Sequence, residues 1–193
     1  MLLLYVREKV PMEKITIKDK TFRISIPYEK ISAAIDNVAT QINKDFEGCE
    51  DCPILLCVLN GSIMFTAELM KRINFDCQIV STKLTSYVGT ETTGKVKQAM
   101  GLTADIRGRR VIVIEDIVDS GNTVVALKDI LEENGASESY ICTLLLKPEA
   151  YKKDVKIDYV AMEIPNDFIV GFGLDYDELG RNYKDIYVLD SSN

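Results

Sequence analysis

The stretch Val111-Ile112-Val113-Ile114-Glu115-Asp116-Ile117-Val118-Asp119-Ser120-Gly121-Asn122-Thr123 constrains the fold more than any other part of the chain. Four β-branched apolar residues in a row read as a strand covered on both faces, the habit of parallel sheets in α/β proteins. The strand ends in two adjacent acids, a third follows at Asp119, and a small polar turn then opens a helix. Successive backbone N–H groups in such a turn, with the positive end of the helix, form a cradle for an anion. Ser120 and Thr123 add hydroxyl donors. Glu115 and Asp116 stand just outside it, where carboxylates accept hydrogen bonds from sugar hydroxyls or hold a hard cation such as magnesium. Each part has a plainer reading: the acids as a solvated loop, and Ser120-Gly121-Asn122-Thr123 as a turn with a threonine N-cap. Joined to one buried strand and one helix, the pattern arises by chance in roughly 10⁻⁴ or fewer chains of this length.

The rest of the chain alternates strands and helices. Ile15-Thr16-Ile17 and Phe22 to Ile26 alternate around Lys18-Asp19-Lys20, which predicts a short hairpin. Ile31, Ile35, Val38, Ile42 and Phe46 recur at helical spacing between Tyr28 and Phe46. Buried strands are expected at 54–59, 111–114 and 140–146, another strand at 79–84, and shorter ones at 159–162, 168–170 and 186–189. Helices are expected at 63–72 and at 123–134, the latter closed by Gly135. Residues from about Ser86 to Arg107 read as one long polar loop, of the kind that serves as a lid. This order predicts an α/β fold with a mainly parallel central sheet flanked by helices. Ligands of such sheets bind beyond the carboxyl ends of the strands.

Composition removes several functions. The net charge of −7 argues against non-specific nucleic-acid binding, which needs a basic surface. It also means that a phosphate site here is local, built from backbone amides or a metal. No apolar run approaches membrane-spanning length. The opening Met1-Leu2-Leu3-Leu4-Tyr5-Val6 is too short for a signal-peptide core and no basic segment precedes it, so a cytoplasmic protein is expected. The single CxxC, Cys49 and Cys52, lacks a second pair, and the chain has no histidine. Free thiols are therefore expected rather than a zinc site. Without histidine, Ser-His-Asp and Cys-His chemistry is excluded, and acid–base work falls to Asp, Glu, Lys or Tyr.

The 111–123 stretch resembles the phosphoribosyl pyrophosphate-binding motif of the type I phosphoribosyltransferases. Other segments resemble the hypoxanthine-guanine members of that family: Leu59-Asn60-Gly61 their pyrophosphate loop, and Ser86-Tyr87 the start of their flexible catalytic loop. Lys147 follows a strand as their purine-contacting lysine does. Glu163-Ile164-Pro165, Phe168-Ile169-Val170-Gly171, Leu174-Asp175-Tyr176 and Arg181-Asn182 follow their base-binding segment. Asn60 stands where several members carry a basic residue. The likeness runs from about Met12 to Leu189. It implies a type I phosphoribosyltransferase fold, a single domain whose core is about 28–149, with a small hood from about 12–27 and 150–189.

The resemblance also implies an activity: transfer of hypoxanthine or guanine to phosphoribosyl pyrophosphate, giving IMP or GMP and pyrophosphate. Glu115, Asp116, Ser120, Gly121, Asn122, Thr123, Leu59, Asn60, Gly61 and Arg181 would then hold phosphoribosyl pyrophosphate. Lys147, Phe168, Ile169 and Asp175 would bind the purine. Mg²⁺ would sit on Glu115, Asp116 and Asp175, with Asp119 as general base. A backbone-lined pyrophosphate loop with a cis peptide after the leucine is implied, as is a homodimer or homotetramer. By default Phe168 is core, Lys147 a surface lysine and Arg181 half of a surface salt bridge. Two rivals stay open: a phosphoribosyl pyrophosphate-sensing regulatory protein on the same fold, and an aspartyl-phosphate protein with Asp116 as nucleophile.

Overall fold

The computed structural model describes residues 13–86 and 96–190. Ten strands and three helices occur among them. In chain order they are β1 (Lys14–Ile17), β2 (Lys20–Ile26), α1 (Tyr28–Asp45), β3 (Ile54–Leu59), α2 (Ile63–Met70), β4 (Gln78–Ser86), β5 (Val96–Met100), β6 (Arg110–Val118), α3 (Asn122–Glu133), β7 (Glu138–Leu146), β8 (Tyr159–Glu163), β9 (Ile169–Val170) and β10 (Ile186–Leu189).

The larger sheet has six strands in the order β5-β4-β3-β6-β7-β8. All its pairings are parallel except that of β5 with β4. Its alternation explains the continuous apolar runs. Leu55, Ile112 and Ile114 face α1 and α2, packing with Ile31, Ile35, Ile42, Phe65 and Leu69. Ile54, Leu56, Val111 and Val113 face α3, packing with Val124, Leu127 and Leu131. A strand buried on both faces has no polar side to show. α3 is C-capped by Asn134, and Gly135 follows at φ 75°, as the Gly135 stop predicts.

The second sheet, order β1-β2-β10-β9, joins the N-terminal hairpin to the C-terminal strands and is antiparallel. Ile15, Ile17, Phe22, Val170 and Tyr187 form its own small core. Ile169, Phe172, Leu174, Ile186 and Val188 fasten it to the main one. A further tie is polar. Asp185 is 2% exposed, and its carboxylate accepts the Tyr28 N–H at 2.8 Å. That caps the start of α1, where the preceding Pro27 supplies no side-chain acceptor.

Two expectations are corrected. The 86–107 segment is not one loop, because β5 occupies Val96–Met100 and pairs antiparallel with β4. Val-Lys-Gln-Ala-Met shows neither a continuous apolar run nor a clean alternation, so it lacks the signal that marks the central strands. β8 lies inside the 150–189 range expected for the hood, yet it pairs with β7 in the main sheet, where Tyr159 is buried. All five cysteines are free, with Cys57 and Cys142 buried. Among the described residues, no helix is long and apolar enough to cross a membrane.

Candidate active site

The carboxyl ends of β3, β6 and β7 converge on one side of the main sheet. A cavity of about 340 Å³ opens there, lined by Leu59, Gly61, Glu115, Asp116 and the whole run Asp119 to Thr123. Val58, Leu84, Ile117, Val118 and Val124 complete it.

The turn is built as an anion cradle. Gly121, not Thr123, is the N-cap of α3, at φ 83°, and no side chain caps the helix. The first intrahelical bond runs from Val125 N–H to the Gly121 carbonyl at 3.1 Å. The N–H groups of the first turn therefore face the cavity region without a partner from their own helix. A side chain at 121 is excluded twice, by the left-handed backbone and by Tyr151, whose ring would lie 2.4 Å from a Cβ there. The stem of Lys153 is almost as close, at 2.8 Å. Nothing local in the sequence signals that Tyr151 and Lys153 wall this turn.

The acid pair is less solvated than a loop reading requires. Glu115 is 4% exposed. Burial pushes its carboxyl well above the ordinary glutamate range, and the charge and hydrogen bonding of adjacent Asp116 push it further. Asp116 keeps some surface at the cavity. Burial raises its carboxyl too, against the Ile117 N–H, which it accepts at 2.9 Å, and the positive charge of Arg181. The pair therefore holds a proton most readily on Glu115, and a cation beside it would relieve both.

Gly61 lies directly against this pair. A Cβ there would meet Asp116 Oδ2 at 1.7 Å. The Leu59–Asn60 peptide is cis, as the resemblance implies, and Asn60 is half-buried but does not line the cavity. On its other side Gly61 touches Gly173: a Cβ at 173 would stand 2.0 Å from the Gly61 carbonyl oxygen. This glycine contact fastens the pyrophosphate-loop candidate to the C-terminal segment. Gly171-Phe172-Gly173, two glycines just before Leu174-Asp175, is the only sequence hint of it.

None of the remaining candidates lines the cavity. Lys147 is 8% exposed, so it is no ordinary surface lysine, and its ammonium bonds Asp119 Oδ2 at 3.0 Å. Arg181 donates to the Gly173 carbonyl at 2.9 Å and pairs with Asp175 at 2.7 Å. It is thus anchored beside Gly61 and within electrostatic reach of Asp116. Asp175 also accepts the Glu178 N–H at 2.8 Å. Phe168 is 45% exposed, which removes it from the core. Its neighbour Ile169 packs into the main core, leaving only its backbone available to a ligand. Ser86 ends β4, and Tyr87 falls outside the described residues.

Among the described residues no three acidic or thiol groups cluster as a ready-made metal site. The donor set nevertheless suits a hard cation. Mg²⁺ is commonly held by one or two carboxylates with substrate oxygens and water completing the shell, and Glu115 with Asp116 offers two.

Comparison with known proteins agrees with this geometry. The family model of the phosphoribosyl transferase domain matches residues 27–177. The hypoxanthine-guanine phosphoribosyltransferase of Streptococcus thermophilus is 41% identical over 168 residues, covering 86% of this chain and 92% of that one. The enzyme of the same name from Lactococcus lactis is 39% identical over 170 residues, covering 86% and 90%. Among solved structures, a hypoxanthine-guanine phosphoribosyltransferase of Bacillus anthracis superposes with a TM-score of 0.81 at 40% identity, covering 86% of this chain and 98% of that one. A hypoxanthine phosphoribosyltransferase of Staphylococcus aureus gives a TM-score of 0.81 at 35% identity, covering 89% and 94%.

Proposed function

The chain belongs to the phosphoribosyl transferase family, and from that premise we propose that it is a purine-salvage enzyme joining hypoxanthine and guanine to phosphoribosyl pyrophosphate. One observation carries the reading. The uncapped start of α3, the buried Glu115 with its half-buried neighbour Asp116, and Asp119 line a single cavity, with the buried Lys147 bonded to Asp119.

The 5′-phosphate lies in the cradle of Ser120 to Thr123, against backbone N–H groups and two hydroxyls. Glu115 and Asp116 take the ribose hydroxyls. The pyrophosphate lies along Leu59-Asn60-Gly61, with the Arg181 guanidinium, anchored to Gly173, on its far side. The purine rests on the exposed Phe168 ring, an aromatic face of the kind that stacks on another. Lys147 reads O6, which favours 6-oxopurines, because the amino group of adenine is a donor and offers the ammonium no acceptor.

The purine nitrogen then attacks ribose C1 as the bond from C1 to pyrophosphate oxygen breaks. Asp119 accepts the proton at N7, so that no positive charge builds on the base. Glu115 and Asp116, with Asp175 as a further candidate, would hold Mg²⁺, which would supply charge neutralisation for the leaving pyrophosphate.

A cytoplasmic homodimer or homotetramer completes the reading. Spectrophotometric assays with hypoxanthine, guanine, xanthine and adenine, each with phosphoribosyl pyrophosphate and magnesium, test the proposal. Turnover of the first two is expected. Turnover of adenine alone, or of no purine, would overturn it.

A further inference from the structure

An exposed phenylalanine is a poor platform unless something holds its ring. Phe168 is held on two sides. Phe22 of β2, fully buried, lies under it with ring centroids 6.1 Å apart and planes tilted by 36°. Tyr176 stands edge-on to it at 5.8 Å and 88°, the favoured T-shaped arrangement. Phe22 and Tyr176 close the triangle at 6.2 Å.

Phe22 is fixed by the hood core, whereas Tyr176 is fixed from its far end. Its hydroxyl donates to Asp19 Oδ1 at 2.8 Å. Lys20 places its ammonium over the same ring, 4.9 Å from the centroid. Lys18, the first residue of the β1–β2 turn, forms an ion pair with Asp177. The turn thus grips two successive residues of the C-terminal segment. Lys18, Asp177 and Glu178 all have positive φ, at 52°, 51° and 65°. Non-glycine residues hold that conformation where surrounding contacts over-determine it, and such residues cluster at functional sites. The ion pairs and the Asp19 bond are exposed, so their contribution to global stability is small. What they constrain is geometry.

We propose that Asp19 and Tyr176 are positioning residues that fix the plane of the Phe168 ring, so that the turn joining β1 and β2 sets how tightly the purine is held. The inference rests on the reading of Phe168 as the stacking platform. The Asp19 carboxyl is held below its ordinary range, chiefly by the tyrosine hydrogen bond, and so remains a charged acceptor at neutral pH. Because neither residue lies on the cavity around Glu115 and Asp119, their influence falls on the base and not on phosphoribosyl pyrophosphate.

Steady-state kinetics of Asp19→Ala, Tyr176→Phe and the double variant test this, with thermal unfolding in parallel. Each single change is expected to raise KM for hypoxanthine by about three- to tenfold. The double variant should be no worse than the worse single one, as for two partners of one bond. KM for phosphoribosyl pyrophosphate, kcat and Tm should stay close to those of the unaltered protein. A parallel loss in every constant together with a lowered Tm would mark a merely structural role and overturn the proposal. The chain has no tryptophan, so the Phe168→Trp variant carries a unique fluorophore. Quenching of its emission by IMP, combined with unchanged hypoxanthine KM in Asp19→Ala and Tyr176→Phe, would sink the positioning role and leave the platform standing. Emission indifferent to saturating IMP would remove the platform itself, and the positioning role with it.

Discussion

The Lys147 ammonium lies 3.0 Å from Asp119 Oδ2, joining a side chain that is 10% exposed to one that is 52% exposed across 28 residues of sequence. The group proposed to read the purine and the group proposed to take its proton therefore hold each other in the free protein. Asp119→Asn keeps an acceptor for the buried ammonium but cannot accept a proton. Its kcat is expected to fall by about 10²-fold or more, with little change in phosphoribosyl pyrophosphate affinity. Wild-type turnover would reduce Asp119 to an exposed partner of Lys147.

Lys147→Gln tests the other half of the pair. Loss of an ammonium aimed at O6 should weaken hypoxanthine and guanine use by about 1–3 kcal/mol. Because the two residues share a bond, the Asp119→Asn and Lys147→Gln effects should not add. Unchanged kinetics with both bases would confine Lys147 to its bond with Asp119.

Gly61 offers a sharper separation of fold from chemistry. A methyl group there would collide with Asp116 Oδ2 at 1.7 Å, and that oxygen is the movable end of a side chain. Gly61→Ala should therefore fold, at a cost of about 1–3 kcal/mol for overpacking. It should lose most of its activity, because the Asp116 carboxylate is displaced from the cavity. Retained kcat/KM in a variant shown by unfolding to be destabilised would remove Asp116 from the chemistry.

The sequence made local features legible. β3 and β10 fall where their apolar runs begin and end, and the acid-turn-helix stretch of 111–123 stands where the sheet ends at the cavity. Strand β5 was hidden because Val96 to Met100 shows neither a continuous apolar run nor a clean alternation. Contacts between distant segments were hidden for another reason. Nothing near Gly61 in the chain announces Gly173, and nothing near Asp19 announces Tyr176. Phe168 shows the limit most clearly. A phenylalanine in a strand is core by default, yet this residue is 45% exposed.

Metal dependence follows from the charge beside the cradle. Phosphoribosyl pyrophosphate would be brought to a cavity that already holds Glu115, Asp116 and Asp119. Activity should vanish in excess chelator and return with magnesium, and Asp116→Asn should raise the magnesium concentration needed. Full turnover in chelator would show that backbone amides and Arg181 suffice.

The buried glutamate gives a prediction that needs no substrate. Burial, reinforced by Asp116, raises the Glu115 carboxyl well above its ordinary value of 4.5. The folded state then binds this proton more tightly than the unfolded chain does. The stability it contributes is fully present below the unfolded value and is lost as pH rises through the folded one. Within that window the loss amounts to about 1.4 kcal/mol per pH unit. Glu115→Gln replaces the protonated acid with a neutral amide of the same shape, which can still donate toward Asp116 and does not titrate. Denaturant unfolding of both proteins as pH rises above 4.5, without metal, should show Glu115→Gln becoming progressively more stable than the unaltered protein. The same variant should bind phosphoribosyl pyrophosphate and magnesium more weakly, since the charge that the site would release to them is gone. Curves that run parallel across this range would mean that Glu115 is already ionised in the free protein, with its charge satisfied by its neighbours.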